Sequence, residues 1–286
     1  MISVIILTKN EEQDLPACLN SLRWADDVHI LDSGSTDTTV EIAKQNGAHT
    51  WLNAFKSFGQ QRNFALDTIN VKNEWILFLD ADEVVTEKFR EAVFTSVTKA
   101  DEEIAGFYCC WKMMLDHRWL KYSDNFPKWQ FRLLRKGRAR FTDFGHGQKE
   151  DCIIGRIEYI KEPYLHYGFS KGWSHWIDRH NRYSTSEAIS RLNNCPPFKN
   201  TFSSHGSIRN PALKSWLSRL PGWPFLRFFH AYFINLGFLE GSQGFIYCIN
   251  MAYYEFLIQI KMKEIKINEN VAQEGRDMSL NSLTRK

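Results

Sequence analysis

The chain has 286 residues, 43% of them hydrophobic, and a formal net charge of +3. That length and composition suit one large domain, or one domain with an appendage, and exclude a disordered, collagen-like or disulfide-stapled chain. Charge is unevenly placed: residues 1–100 carry 9 Lys+Arg against 15 Asp+Glu, and residues 101–286 carry 27 against 18. An acidic part suited to a cation therefore precedes a basic part suited to phosphate or an anionic membrane surface.

No basic leader precedes the first apolar run, so the chain is expected to open directly on a strand. That run, "ISVIILT" (2–8), is β-branched and continuous, as in a strand buried on both faces. Residues 15–24 have helical leucine spacing, with Pro16 in the first turn. A second strand is expected over 27–33. The segment 35–47 opens on capping residues and closes on Gly47, as a helix does. A short strand at 48–53, a helix at 57–69, a buried strand at 74–80 and a helix at 86–100 capped by Thr86 follow. Strand–helix alternation over a hundred residues predicts an α/β sandwich around a mostly parallel sheet. Beyond it, residues 106–115 and 128–135 read as aromatic strands, 137–151 as a glycine-bearing loop, and 170–192 as a long polar-aromatic helix. The six cysteines form no Cys-x-x-Cys pair and stand near no histidine at zinc-finger spacing, so reduced thiols in the cytosol are expected.

In parallel sheets, ligands bind at the carboxyl ends of strands. Three polar clusters fall there: "TKNEE", "DSGSTD" and "DADE". Asp80 and Asp82, one residue apart after a strand, suit Mg2+ or Mn2+, hard cations that also take phosphate oxygens. Such a cation stabilises charge on a departing diphosphate. Glu83 is expected only to begin the next helix. His146 and His166 are further candidates for contact with a diphosphate or metal, beside the ordinary use of histidine in a core.

In order and spacing, "VIILTKNEE", "LDSGSTDTT" and "FLDADE" together resemble the pattern of glycosyltransferase family 2 over roughly residues 1–170. The resemblance implies the GT-A fold: a Rossmann-like α/β arrangement with a mixed, mostly parallel sheet sandwiched by helices, here followed by a helical C-terminal appendage. It implies a nucleotide-diphosphate sugar donor, with Thr8, Asn10 and Glu11 at the base and ribose and Asp32 and Asp37 reading the nucleotide. It also implies Arg62 and Asp80 at the nucleotide or diphosphate, and Asp80 and Asp82 as metal contacts for Mg2+ or Mn2+. More narrowly, "KWQFRLLRKG" and "GRIEYIKEPYLHYGFSKG" resemble the bacterial branch that builds lipopolysaccharide core and exopolysaccharide intermediates. That branch implies a lipid-linked saccharide acceptor and work at the cytoplasmic face of the inner membrane. An inverting displacement needs a general base, for which Glu150 is the first candidate and Asp151 the second. Many members of that branch carry Val-His-Glu where this chain has "HGQKED", which leaves the base and the donor sugar open.

Arg132, Arg135, Arg138 and Arg140 form a basic run suited to the donor diphosphate or a phosphorylated acceptor. No nucleic-acid motif accompanies it, so no nucleic-acid partner is expected. Residues 224–239 and 244–260 are aromatic, apolar and flanked by Lys and Arg. Helices lying on the bilayer are the leading expectation, beside one membrane span or packing on the core or a second subunit. The organisation expected is a catalytic domain at 1–168, a helical aromatic and basic region at 169–268 and a polar flexible tail at 269–286. Two alternatives compete with a transferase. One is a membrane-surface binding module; the other is a phosphatase with an Asp nucleophile on the strand end.

Overall fold

The structure is a computed structural model that describes residues 1–145 and 147–283, with side chains described through residue 268. Its first half alternates strand and helix: β1 (Ile2–Thr8), α1 (Leu15–Asn20), β2 (Val28–Asp32), α2 (Thr39–Gln45), β3 (His49–Leu52), α3 (Phe58–Thr68), β4 (Trp75–Asp80), β5 (Glu83–Val84) and α4 (Glu87–Lys99). Strands then dominate: β6 (Ile104–Leu115), β7 (Arg118–Trp119), β8 (Trp129–Arg135), β9 (Arg140–Phe144), β10 (Gly147–Asp151) and β11 (Arg156–His166). The remainder is helical: α5 (Gly172–Asn193), α6 (Gly206–Leu217), α7 (Trp223–Phe229) and α8 (Gly241–Leu283), with short tighter or wider turns between them.

The main sheet runs β3-β2-β1-β4-β8-β6-β11-β5, with β7 paired to β6. Strands β3, β2, β1 and β4 are mutually parallel. Strand β8 inserts antiparallel between β4 and β6, and β11 returns parallel to β6. β1 lies at the centre of the parallel block, and all seven of its residues are buried. Its run of Ile, Val and Leu is what a strand covered on both faces requires. One face packs Leu15, Cys18 and Leu22 of the α1 region and Phe89 and Val93 of α4. The other packs Ala65 of α3, Phe78 of β4 and Phe141 of β9. This is the α/β sandwich the alternation predicts. Ser57 and Thr86 cap α3 and α4 by accepting from Gln60 N–H and Phe89 N–H.

The glycine-bearing stretch at 137–151 corrects the sequence reading. It is not a loop but a hairpin, β9 with β10, in the register Glu150 opposite Phe141 and Asp151 opposite Arg140. Helix α3 fastens it. Asn63 donates to Phe141 O at 2.8 Å and accepts from Phe141 N–H at 2.9 Å, and Arg140 forks onto Asp67 at 2.6 and 2.9 Å.

Helix α8 packs on α5 through Tyr254, Ile258 and Met262 around Ala188. It reaches the sheet through Tyr247 against Leu115 and Leu120. Buried Glu240, just before α8, accepts the backbone amides of Tyr122 and Ser123 at 2.6 and 3.1 Å. No helix among the described residues is long and apolar enough to cross a membrane. The backbone of α8 is helical to Leu283, while the whole of the tail expected at 269–286 lies outside the described side chains.

Candidate active site

The three polar clusters meet because β1, β2 and β4 are parallel neighbours ending on one edge. Thr8 stands opposite Asp32, and Leu7 opposite Asp80. Thr8 Oγ1 donates to Asp32 Oδ1 at 2.9 Å. The buried Asp32 carboxylate also receives Gly34 N–H and Ser35 N–H at 2.8 and 2.7 Å, so it folds its own loop. Gly34 has φ +84°, a turn conformation that favours glycine. Asp37 is likewise engaged, accepting Thr39 N–H at 3.0 Å and Glu12 N–H at 3.2 Å. Asn10 Oδ1 accepts Thr36 N–H at 2.8 Å, which ties the first loop to the second.

The opposite wall is basic. Lys171, at the start of α5, contacts Glu11 Oε2 at 2.7 Å and donates to Asn10 O at 2.6 Å. Burial pushes the Glu11 carboxyl up to about 7, against the pull of Lys171. Ser170 donates to Asp14 at 2.8 Å, and Gln13 donates to Ser170 O at 2.7 Å. The segment after β11 thus clasps the first loop. Neither Asp14 nor Lys171 stands out in the sequence. The signal that could have found them is their position, each directly beside a cluster or a strand end.

At the end of β4 the acids divide. Asp80 takes Arg132 at 2.7 and 3.3 Å and Arg62 at 3.5 Å. Burial opposes its ionisation, but these two guanidinium groups hold Asp80 well below the usual carboxylate range. Glu83 is fully buried. Its carboxylate accepts from Arg132 at 2.6 Å, Tyr164 Oη at 3.1 Å and Asp80 N–H at 2.8 Å. It does not begin the next helix. It lies in β5, opposite His166 of β11. Asp82 faces His166 Nε2 at 3.3 Å. Burial works against a charge on His166, yet Asp82 and its acidic neighbours raise the imidazole to about 9. The buried His166 Nδ1 has no hydrogen-bond partner among the described residues. His146 lies outside the described residues.

Arg62 sits beneath Asp80, 1% exposed, with its guanidinium 5.5 and 5.8 Å from the Phe78 and Phe141 rings. Its Nε and Nη1 have no hydrogen-bond partner among the described residues. Burial and the charge of Arg132 pull its pKa down to about 10. The basic run of the sequence is broken up by strand alternation. Arg132 turns inward onto Asp80 and Glu83, Arg135 lies 4.8 Å from the Trp75 ring, and Arg140 pairs with Asp67.

The structure therefore brings together Thr8, Asn10, Glu11, Asp32 and Asp37 in one loop pair, and Arg62, Asp80 and Asp82 beside it. Glu150 is set apart from the acids. It accepts from the Tyr108 hydroxyl, and among the described residues no hydrogen bond or ion pair joins it to Asp80 or Asp82. Its link to them is Phe141, its cross-strand partner, whose ring packs on Arg62. Asp151 is exposed at the far end of the hairpin and accepts Cys152 N–H at 2.8 Å. Between the hairpin and α5 opens a cleft of about 330 Å³, lined by Asp143, Phe144 and Gly145 on one side and Ser186, Ile189, Ser190 and Asn194 on the other.

Comparison with known proteins gives the family. The sequence profile described as Glycosyl transferase family 2 matches residues 3–149. An uncharacterized glycosyltransferase of Rickettsia bellii is 27% identical over 97% of this chain and 91% of its own length. The lipopolysaccharide core biosynthesis glycosyltransferase LpsC of Rhizobium meliloti is 25% identical over 94% of this chain and 96% of its own. The crystal structure of S. aureus TarS 1-349 with UDP-GlcNAc superposes with a TM-score of 0.46 at 15% identity, over 95% of this chain and 92% of that one.

Proposed function

This chain belongs to glycosyltransferase family 2 and is a transferase, and on that premise we propose that it moves a hexose from a UDP-sugar to a lipid-linked saccharide. The acceptor belongs to lipopolysaccharide or exopolysaccharide synthesis, and the enzyme works at the cytoplasmic face of the inner membrane. One observation carries the reading. Thr8, Asp32 and Asp80 share one edge of parallel strands, and a buried guanidinium, Arg62, keeps unpartnered N–H groups beneath them. An always-charged group held there without full pairing provides positive potential for a diphosphate.

The first two loops form the nucleotide side. Asp32 and Asp37 act by holding loop shape, since their oxygens already accept backbone amides. Asn10 and Glu11 line the opening, and Lys171 fixes Glu11. Among the described residues no three His, Cys, Asp or Glu side chains gather as a metal site, and the oxygens of Asp80 lie in the fork of Arg132, so Asp82 is the carboxylate left to meet a divalent ion. Asp82 would hold Mg2+ or Mn2+ in place of its contact with His166, a carboxylate oxygen being a ligand that such ions take. When bound, the ion supplies charge that stabilises the leaving diphosphate.

Transfer is a single displacement. The acceptor hydroxyl oxygen bonds to the anomeric carbon while the bond from that carbon to the diphosphate breaks, and the nucleotide leaves with the electron pair. Glu150 takes the hydroxyl proton. It is held by Tyr108 on a fastened hairpin, whereas Asp151 turns to its own chain. The cleft between hairpin and α5 suits the acceptor, having hydroxyl, amide and carboxylate groups beside the Phe144 ring.

The test is nucleotide release from a panel of UDP-hexoses, with and without Mn2+, using bacterial glycolipid extract as acceptor. Release above background is expected from one donor, and Asp82→Asn is expected to lose it while keeping the wild-type far-UV circular dichroism spectrum. Full activity of that variant would overturn the metal assignment. Absence of release from every donor would overturn the donor class.

A further inference from the structure

The helices after α5 expose an extensive apolar surface. Phe202 and Phe225 are 78% and 81% exposed, and Leu226, Phe229, Phe233 and Ile234 are about half exposed or more. These side chains are not scattered. Rings run in contact from Phe229 to Phe233 (5.1 Å), Phe233 to Tyr232 (5.1 Å) and Tyr232 to Phe245 (5.6 Å). From Phe245 the surface continues along α8 through Ile249, Tyr253, Phe256 and Ile260, all exposed. That spacing is one helical stripe. The opposite stripe of α8, Tyr247, Tyr254, Ile258 and Met262, is buried against the sheet and α5. The helix is therefore apolar on both sides and covered by protein on only one. A soluble monomer rarely exposes a contiguous apolar patch beyond a few hundred Å².

Charge identifies what covers it. Between residues 196 and 260 the basic groups are Lys199, Arg209, Lys214, Arg219 and Arg227, of which the first three are exposed and the last two half-buried. The acids in that stretch, Glu240 and Glu255, are both buried and occupied. Glu240 holds two backbone amides, and Glu255 takes Arg191 at 2.7 and 3.1 Å. Every exposed charged side chain between residues 196 and 260 is thus positive, and the exposed Glu264 follows one turn beyond Ile260. A second copy docking by the same face in two-fold symmetry would bring cations against cations. An anionic bilayer meets both properties at once, taking the rings into its interfacial layer and the cations at its headgroups.

We propose that the apolar, basic surface formed by α6, α7 and the first five turns of α8 docks on a membrane carrying anionic lipid, lying in the interface without crossing it. This deepens the reading given above, and rests on it for the acceptor the membrane would deliver. The cleft between the hairpin and α5 ends at Asn194, four residues before Phe198 of this surface. A saccharide held in that cleft could thus remain joined to a lipid seated in the bilayer.

The experiment uses the full chain and sedimentation with vesicles, either phosphatidylglycerol mixed with phosphatidylethanolamine or phosphatidylcholine alone. The wild type is expected to pellet with the anionic vesicles, less with the neutral ones, and less again as salt is raised. Phe225→Glu with Phe229→Glu is expected to weaken anionic-vesicle binding by about tenfold or more. Arg209→Ala with Lys214→Ala is expected to remove the preference for anionic lipid. Both variants should keep the wild-type unfolding transition and nucleotide release to soluble acceptors. Equal vesicle binding by wild type and Phe225→Glu/Phe229→Glu overturns the proposal. So does a wild-type dimer that this variant converts to monomer with no vesicle binding, which would assign the face to a second copy. Vesicle binding with no nucleotide release from any donor supports this surface and sinks the UDP-sugar donor reading alone.

Discussion

Asp80 and Glu83 share one cation. Arg132 reaches both, at 2.7 and 2.6 Å, from a side chain that is 2% exposed. Removing one partner of a buried pair leaves the other charge without compensation. Arg132→Met is therefore expected to lower stability by about 3–5 kcal/mol, read from urea unfolding. Adding Glu83→Gln to that variant should return part of the loss, and no recovery would mean that the two side chains do not couple. The base assignment is tested on the same scale. Glu150→Gln should keep nucleotide binding, followed by thermal shift with UDP, and reduce turnover by at least about a hundredfold. If Asp151→Asn does this instead, the base is the neighbouring residue. Asp80 and Asp82 were legible in the sequence because a strand end fixes where such side chains gather. Glu83 was not. Its partners are Arg132 and Tyr164, 49 and 81 residues away, and only the pairing of β8 with β4 and of β5 with β11 brings them to it.

The elements that carry the candidate site are joined by close backbone contacts. Gly59, in the first turn of α3, donates its N–H to Asp143 Oδ1 at 3.0 Å. A methyl group on Gly59 would stand 2.7 Å from that oxygen and 3.1 Å from the Thr142 backbone. Gly59→Ala is expected to push the hairpin off α3 and destabilise the fold by about 1–3 kcal/mol. It should also raise the KM for acceptor more than that for donor, and an unchanged unfolding midpoint would refute the contact. Strands β1, β2 and β4 could be read from their apolar runs, and α4 from its Thr86 cap. The hairpin could not. Its strands alternate weakly and are bounded by glycines, and the force that orders them is docking on Asn63 and Asp67 of α3, which spacing along the chain does not reveal. The covered face of α8 escaped in another way. Two apolar stripes on one helix look alike in sequence, and only packing shows which of them meets α5.

For the molecule as a whole, acid sensitivity has an identifiable contributor. His29 is buried, with Nδ1 accepting from Trp51 Nε1 at 3.2 Å and Nε2 lying 3.0 Å from Asp27. Burial holds its pKa below the usual histidine value, even though Asp27 pulls the other way. The folded state thus keeps a neutral imidazole that the unfolded chain would protonate. The resulting stability is present above the ordinary histidine pKa and is lost as pH falls below it. Glu11, raised to about 7, works the opposite way over this range, so the test is a difference: the stability of the wild type relative to His29→Gln should shrink as pH falls from about 7 to about 5. A difference that stays constant would assign the acid sensitivity to other groups. The sheet order has a consequence for the order of synthesis. Strand β4 and the acids after it leave the ribosome well before β8, yet β8 is the strand that lies against β4 and delivers Arg132. A nascent chain ending near residue 100 therefore holds Asp80 and Glu83 with Arg62 as the one cation so far made of the pair that faces them. The parallel block is left with an open edge at β4 until some fifty residues beyond Asp80 have been translated. During that interval the growing chain depends on whatever shields that edge, so a pause placed between α4 and β8 would be the point at which this protein is most exposed to aggregation.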